Sequence, residues 1–285
     1  MRSERVLPLD SMRGIAAVGV TLFWHYSHFG PYRPFEGFAA EWLYRYGWML
    51  VDFFFVLSGF VLSHAYLEKL ADRRVRPYEF FILRFSRLYP LHLVTLLFVA
   101  TLQFYRTSSG MGSFVYHEND LFHFFLNLGF LQQGIIRTEY SFNGPAWSLT
   151  VEELSYLMFF VSMFFFAAYR RLAFLVLVGV GILINMAALH VHVFYLEVSR
   201  GLVGFFGGCL AYQLHHFARE KNQSFRLAAL ASIALIGVVS HYVQSGYPRS
   251  AQILLIHSLV IFPAIVLIVL NAPPLKQLMS FRPLA

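Results

Sequence analysis

Eight apolar runs in the chain are each long enough to cross a bilayer as a helix, which takes roughly 20 residues. A soluble core could not bury so many apolar segments. The sequence therefore predicts an all-α fold, a polytopic transmembrane helical bundle that forms one membrane domain over residues 1–285. The runs fall at about 12–29, 47–66, 88–105, 147–168, 172–190, 198–216, 226–244 and 251–270.

The composition agrees with an integral membrane protein. Hydrophobic residues make up 58% of the chain and charged residues 13%, whereas a soluble domain carries about 25% charged residues. Lysine and arginine number 22 against 15 acidic residues. They lie between the apolar runs, where they set orientation in the membrane and do not indicate nucleic-acid binding. The single cysteine, Cys209, excludes an internal disulfide.

The placement of the basic residues predicts the topology. With eight crossings and a cytoplasmic N-terminus, sixteen of the 22 basic residues lie on the cytoplasmic side, as the positive-inside rule requires. The shorter run at 121–131 is predicted to be a re-entrant or interfacial helix, because counting it as a crossing would move Arg170 and Arg171 outside. The segments 67–87, 106–120 and 30–46 are predicted to be loops.

His25 is a candidate general base. In a helix that begins near Ser11 it lies about 20 Å along the axis, in the outer half of the first run. Imidazole suits this role because its ordinary pKa is close to physiological pH. The alternative is an interfacial histidine between Trp24 and Tyr26, in an aromatic belt.

Two adjacent carboxylates, Glu152 and Glu153, lie near the start of the fourth run, where an unpaired charge is expensive. They point about 100° apart on a helix, so at most one faces a given partner. Tyr156 shares a face with Glu152. If Glu152 meets His25, it would orient the ring and stabilise the imidazolium. A helix N-terminus at the surface, which favours carboxylates, is the alternative.

The second run carries Asp52, Ser58 and Gly59. Asp52 is predicted to be an unpaired acid near the outer mouth, and therefore functional. Ser58 can hydrogen-bond between helices, and Gly59 permits close approach of two backbones. Helix packing alone would also account for Ser58 and Gly59.

Arg84 and Arg87 lie three residues apart, on one helix face, at the predicted cytoplasmic start of the third run. They are either orientation signals or a clamp for the phosphates of an anionic substrate. The sequence has no glycine-rich phosphate loop and no cysteine or histidine cluster at metal spacing. It predicts neither a nucleotide fold nor a metal site.

In their order along the chain, these motifs resemble the membrane acyltransferase-3 family, bacterial integral-membrane O-acyltransferases of surface glycans. The resemblance is specific over roughly residues 5–160. The segments that carry it are Leu9–Ala17, His25, Val51–Phe60, Arg84–Pro90 and Trp147–Glu153.

The resemblance implies a protein of the bacterial inner membrane that moves an acyl group, first of all acetyl, from acyl-CoA to a hydroxyl of a glycan or lipid-linked sugar. Acetyl-CoA would be a co-substrate, and no bound cofactor is expected. His25 would be the catalytic histidine, Arg13 its basic partner and Glu152 the acid. Asp10, Asp52, Trp147, Glu153 and Tyr156 would support catalysis. Ser58, Gly59, Arg84 and Arg87 would bind the acyl donor.

The sequence departs from the family pattern in two places. Eleven residues separate Arg13 from His25 where the family has ten, which turns His25 by about 100° unless a π-bulge absorbs the extra residue. His28 is the alternative active histidine. Relatives also continue beyond Ala285 into further spans, so the chain is expected to lack the last of them.

Two other readings stay open. One is a multi-span transporter or flippase with a path through His25, Asp52, Glu152 and His257. The other is an inactive truncated homologue.

Overall fold

The structure, a computed structural model, describes residues 6–28, 33–113, 116–132, 136, 139–188, 196–245 and 251–280. These residues form twelve α-helices, and their only β pairing is an isolated bridge between Gln132 and Ile136. The helices are α1 (Leu7–Gly19), α2 (Phe38–Tyr46), α3 (Leu50–Ala71), α4 (Pro77–Ser108), α5 (Leu121–Leu128), α6 (Trp147–Phe166), α7 (Arg170–Ala188), α8 (Leu196–Glu220), α9 (Ser224–Ser245), α10 (Ala251–Ile256), α11 (Phe262–Asn271) and α12 (Pro273–Met279).

All eight predicted apolar runs fall on helices, and the short run at 121–131 contains α5. All three predicted loops are partly helical and must be corrected, the segment 106–120 because α4 ends only at Ser108. Helix α4 begins at Pro77, where the Glu79 carboxylate accepts a hydrogen bond from the backbone N–H of Arg76, and α2 lies within 30–46. Charged side chains end an apolar run, but they do not end a helix whose first turn is capped.

Five helical stretches of the described chain are long and apolar enough to cross a membrane. They are Phe38–Ala71, Pro77–Ser108, Gly144–Ala187, Ser224–Tyr242 and Ile253–Asn271. The third of them contains both α6 and α7, separated by a 3₁₀ turn at Ala167–Tyr169. The count of eight crossings and the cytoplasmic N-terminus stay predictions.

Helices α4 and α9 present apolar side chains to the outside of the bundle. Leu91, Val94 and Phe98 on α4 and Leu230 and Ile233 on α9 are all exposed. Such continuous apolar faces are unfavourable in water and are suited to contact with lipid.

The centre of the bundle is the pair α3 and α8, whose backbones approach closely at two glycines. A Cβ atom on Gly59 would lie 1.8 Å from the carbonyl oxygen of Phe205. One on Gly208 would lie 2.0 Å from the carbonyl oxygen of Val56. Only glycine fits at such contacts, and the close approach predicted for Gly59 is confirmed.

We expect Gly208→Ala to destabilise the protein, because the new methyl group must push the α3 backbone away from α8. Overpacking of this kind costs about 1–3 kcal/mol, which thermal unfolding of the detergent-solubilised protein would register as a lower Tm. Gly179→Ala on α7 is the matched control, since nothing lies within 4 Å of its added Cβ. Equal Tm values for the two variants would contradict the packing described for α3 and α8.

Candidate active site

Helix α1 does not end at Gly19 but continues as a π-helical turn over Val20–His25. A π turn accommodates one more residue than an α turn. This is the bulge predicted from the eleven residues between Arg13 and His25. The side chain of His28, the alternative histidine, lies outside the described part of the structure.

His25 lines a cavity of about 290 Å³, called here the histidine cavity. Aromatic rings dominate its wall, and Arg200 and the phenol of Tyr140 add polar groups. The other residues of the lining are Trp24, Trp48, Val51, Pro145 and Trp147. A small, mostly aromatic cavity with a few polar groups is typical of a small-molecule site.

Asp52 and Arg200 form an ion pair beside this cavity. The Nε and Nη2 atoms of Arg200 lie 2.9 Å and 3.1 Å from Oδ1 and Oδ2 of Asp52, whose side chain is completely buried. The guanidinium also lies over the rings of Trp48 and Trp147, 5.2 Å and 4.7 Å from their centroids. The prediction that Asp52 is unpaired is therefore wrong.

Arg200 is a residue of this site that the sequence motifs did not single out. A usable signal was present, because Arg200 lies near the start of an apolar run. A cation at such a position normally pairs with an acid inside the bundle, and Asp52 is the acid that the second run supplies.

The Tyr140 hydroxyl donates a hydrogen bond to Oε1 of Glu197, at 3.3 Å. Burial, and then the carboxylate of Glu197, raises the pKa of Tyr140 to about 12. The phenol therefore keeps its proton at physiological pH, and Tyr140 contributes a neutral hydroxyl to the histidine cavity.

Deeper in the bundle, Glu152 is held by two hydroxyl groups. Ser58 Oγ on α3 donates to its Oε1 at 2.7 Å, and the Tyr156 hydroxyl donates to the same oxygen. The predicted shared face of Glu152 and Tyr156 and the interhelical hydrogen bond of Ser58 are both confirmed. Glu153 points elsewhere, and its Oε1 is buried without a hydrogen-bond partner among the described residues.

Three arginines surround these two carboxylates. Arg13 lies within electrostatic range of Glu152 and Arg87, and Arg84 within range of Glu153. We call these five residues the arginine–glutamate cluster. Its guanidinium groups can bind an anionic ligand, while the Asp10 carboxylate lies 3.9 Å from Arg13.

Tyr66 positions Arg84 within the cluster. The Nη2 of Arg84 donates to the Tyr66 hydroxyl at 3.1 Å, and its guanidinium lies 4.9 Å from the centroid of that ring. The Nε of Arg84 is buried without a hydrogen-bond partner in the described part of the chain. Arg84 is therefore held in place by Tyr66, with one buried donor left unsatisfied.

The histidine cavity and Glu152 lie at successive levels of the bundle. Trp147 lines the cavity, and Glu152 follows it by five residues, or about 7–8 Å along α6. On α3, Ser58 follows the cavity residue Val51 by about 10 Å. Glu152 is not part of the cavity lining, and its pairing with His25 stays a prediction.

Of the remaining candidates, Asp10 lies 3.9 Å from Arg13, and Gly59 is accounted for by the packing of α3 on α8. His257 is buried, and its Nδ1 lies 2.7 Å from the carbonyl oxygen of Ile253. It lines a separate apolar cavity of about 800 Å³ that Met12, Phe53 and Phe262 also line. The structure therefore does not bring His257 into the histidine cavity.

One group of side chains in the described part of the chain, Glu118, Asp120 and His123, has ligand atoms within 4.8 Å of one another. Helix capping accounts for this group, because Asp120 accepts a hydrogen bond from the His123 backbone N–H at 2.8 Å and so begins α5. Capping and the hydrogen bond from the His123 ring hold the pKa of the Asp120 carboxyl below its usual range.

Comparison with known proteins identifies the family of the chain. Residues 7–284 match the acyltransferase-3 family model, which is described as an acyltransferase domain. The chain belongs to this family. It is also 39% identical over 97 residues to the protein called "Protein 2 in picA locus" of Rhizobium radiobacter. That match covers 34% of this chain and 45% of the relative, so the chain spans under half of the relative's length. No solved structure matches it significantly.

We expect Arg200→Gln to destabilise the protein strongly, because it leaves Asp52 charged and buried without a partner. Breaking one side of a buried pair costs about 3–5 kcal/mol, and the Asp52→Asn/Arg200→Gln double variant should recover part of this. Thermal unfolding in detergent measures both changes. Arg33→Gln is the control, since its pair with Glu41 is exposed and contributes at most about 1 kcal/mol. A double variant no more stable than Arg200→Gln would contradict the prediction.

Proposed function

We propose that the protein is an integral-membrane O-acyltransferase that moves an acyl group, first of all acetyl, from acyl-CoA to a hydroxyl of a glycan or lipid-linked sugar. The observation that carries the proposal is the position of His25, at the end of a π turn, in the wall of an aromatic cavity. Membership of an acyltransferase family supplies the reaction class.

The arginine–glutamate cluster is the proposed donor site. Guanidinium groups match phosphate oxygens in geometry and charge, and Arg87 is exposed at the surface of α4. Tyr66, which holds Arg84, lies about 22 Å from Val51 along α3. An acyl-CoA bound by its phosphates at the arginines would extend its thioester arm along α3 towards the histidine cavity.

The histidine cavity is the proposed acceptor site. Its volume of about 290 Å³ lies at the low end of small-molecule sites, which span roughly 300–1,000 Å³. It therefore suits one sugar ring better than a long glycan. The indole faces of Trp48 and Trp147 supply apolar contact, and the Tyr140 hydroxyl supplies hydrogen bonding.

In the proposed reaction, a ring nitrogen of His25 takes the proton of the acceptor hydroxyl as its oxygen attacks the thioester carbonyl carbon. The new ester bond forms, the carbon–sulfur bond breaks, and the CoA thiolate leaves and takes up a proton. Glu152 lies deeper in the bundle than the histidine cavity. Its negative charge stabilises the imidazolium form of His25, because charges interact strongly at low dielectric. An acyl group carried transiently on the histidine is compatible with the same geometry.

Transport through His25, Asp52, Glu152 and His257 has less support. Asp52 is bonded to Arg200, and His257 lines a different cavity from His25. His25 and His257 thus line different cavities, and neither Asp52 nor Glu152 is among the lining residues of those two cavities.

We expect His25→Ala to lower acyl transfer by about 10²–10⁴-fold, the usual contribution of a general base. Transfer of labelled acetate from acetyl-CoA to membrane glycan measures the effect. His117→Ala, on an exposed loop, is the control and should retain full activity. Full transfer by His25→Ala would eliminate the base assignment, and loss in His28→Ala alone would move it to that residue.

We expect Arg84→Gln/Arg87→Gln to raise the KM for acetyl-CoA by about 10–100-fold, because hydrogen bonds to charged groups contribute about 1.5–3 kcal/mol. The value of kcat should change less, since neither arginine lies in the histidine cavity. Steady-state kinetics with acetyl-CoA as the varied substrate separates the two effects. Arg74→Gln, at a largely exposed arginine near the start of α4, is the control. An unchanged KM in the double variant would contradict the donor site.

A further inference from the structure

Two cavities lie next to each other between α7 and α8. They are at the end of the bundle where α7 begins and where α8 turns into α9. The first has a volume of about 320 Å³ and a polar wall that includes Glu68, Arg170, His216 and Glu220. The second has a volume of about 270 Å³ and an apolar wall. Arg171, Gln213 and Phe217 line both. The two cavities therefore adjoin, and together they are called here the α7–α8 site.

The apolar half of the α7–α8 site faces the outside of the bundle. Leu175 on α7 and Leu214 and Phe217 on α8 line it, and their side chains are 55%, 46% and 45% exposed. In a helical membrane protein, such an exposed apolar face is in contact with the hydrocarbon chains of lipids. A single acyl chain would lie along these three residues.

The ionisable side chains of the polar half are those of Glu68, Arg170, Arg171, His216 and Glu220. Glu68 accepts hydrogen bonds from Arg170, with Nη2–Oε1 and Nη1–Oε2 distances of 3.1 Å and 3.2 Å. Glu220 lies 3.4 Å from Nδ1 of His216. Both acids of the cavity thus have a basic side chain beside them. Arg171 has no acidic partner among the described residues, so its guanidinium is the group of this half that can bind an anion.

Gln213 lies where the two halves join, and its amide is unsatisfied. Both its Nε2 and its Oε1 are buried without a hydrogen-bond partner within the described part of the protein. Buried amide groups normally have partners. A ligand that satisfies this amide must offer an acceptor oxygen to Nε2 and a hydroxyl to Oε1. A phosphodiester that carries a hydroxylated headgroup offers both.

We propose that the α7–α8 site binds an anionic phospholipid with a hydroxylated headgroup. Arg171 and the Gln213 Nε2 hold the phosphate, the Gln213 Oε1 accepts a headgroup hydroxyl, and one acyl chain lies along Leu175, Leu214 and Phe217. Basic pockets between membrane helices on the cytoplasmic side are known to bind anionic headgroups, and the positive-inside rule predicts that side for Arg170 and Arg171. The site shares no residue with the histidine cavity or the arginine–glutamate cluster.

Lipid titration of the purified full chain in detergent tests the proposal, with the Tm and native mass spectrometry as readouts. Phosphatidylglycerol should raise the Tm, and phosphatidylcholine should not. Arg171→Gln should weaken the apparent affinity for phosphatidylglycerol about fivefold, the effect of one cation at a membrane surface, and Gln213→Leu should weaken it further. Arg226→Gln, at an exposed arginine in the first turn of α9, is the matched control and should bind as the unmodified chain does.

Three results would overturn the proposal. Equal stabilisation by phosphatidylcholine would mean that no charge is recognised. Equal binding by Arg171→Gln and Arg226→Gln would place the lipid elsewhere. An equal rise in Tm with inorganic phosphate alone would identify a site for free anions. Arg171 lies at the exposed surface, so its variant should fold, and its Tm without lipid verifies this.

Discussion

The contact between the backbones of α3 and α8 is the constraint on which the site depends. Because Gly59 and Gly208 have no side chains, the two helices approach very closely. A Cβ atom on either glycine would collide with a carbonyl oxygen of the other helix. That approach brings Arg200 on α8 within hydrogen-bonding distance of Asp52 on α3. It also leaves Ser58 on the face of α3 that meets α6, where its hydroxyl reaches Glu152. A wider separation of α3 and α8 would lengthen the first of these contacts directly.

Helix α1 connects the two functional regions along its own length. Arg13 lies within electrostatic range of Glu152, and His25, twelve residues later, lines the aromatic cavity. The number of residues in this helix therefore sets the distance between the proposed donor and acceptor sites. The π turn at Val20–His25 then sets the direction in which the imidazole points. The spacing that looked anomalous in the sequence is thus absorbed locally, and the rest of α1 is undisturbed.

The sequence predicted well those features that depend on local pattern. The described residues of all eight apolar runs are helical, Tyr156 and Glu152 share a face, and the extra residue before His25 is absorbed in a π turn, one of the two outcomes that the spacing left open. It failed where a partner comes from a distant segment. Asp52 appeared unpaired because Arg200 follows it by 148 residues, and no periodicity links two helices that far apart. The helical start of α4 was missed for a different reason. A hydropathy pattern shows where a run of apolar residues begins and ends, and a helix can extend beyond that run.

The ion pair of Asp52 and Arg200 also affects how the cavity responds to acidity. The two charges cancel, and Tyr140 releases its proton only near pH 12. Among the residues that line the cavity, His25 is then the one whose side chain type changes charge between about pH 5 and 8. The wall of this cavity therefore combines one side chain of a type suited to accept a proton with polar groups whose charges are balanced or absent.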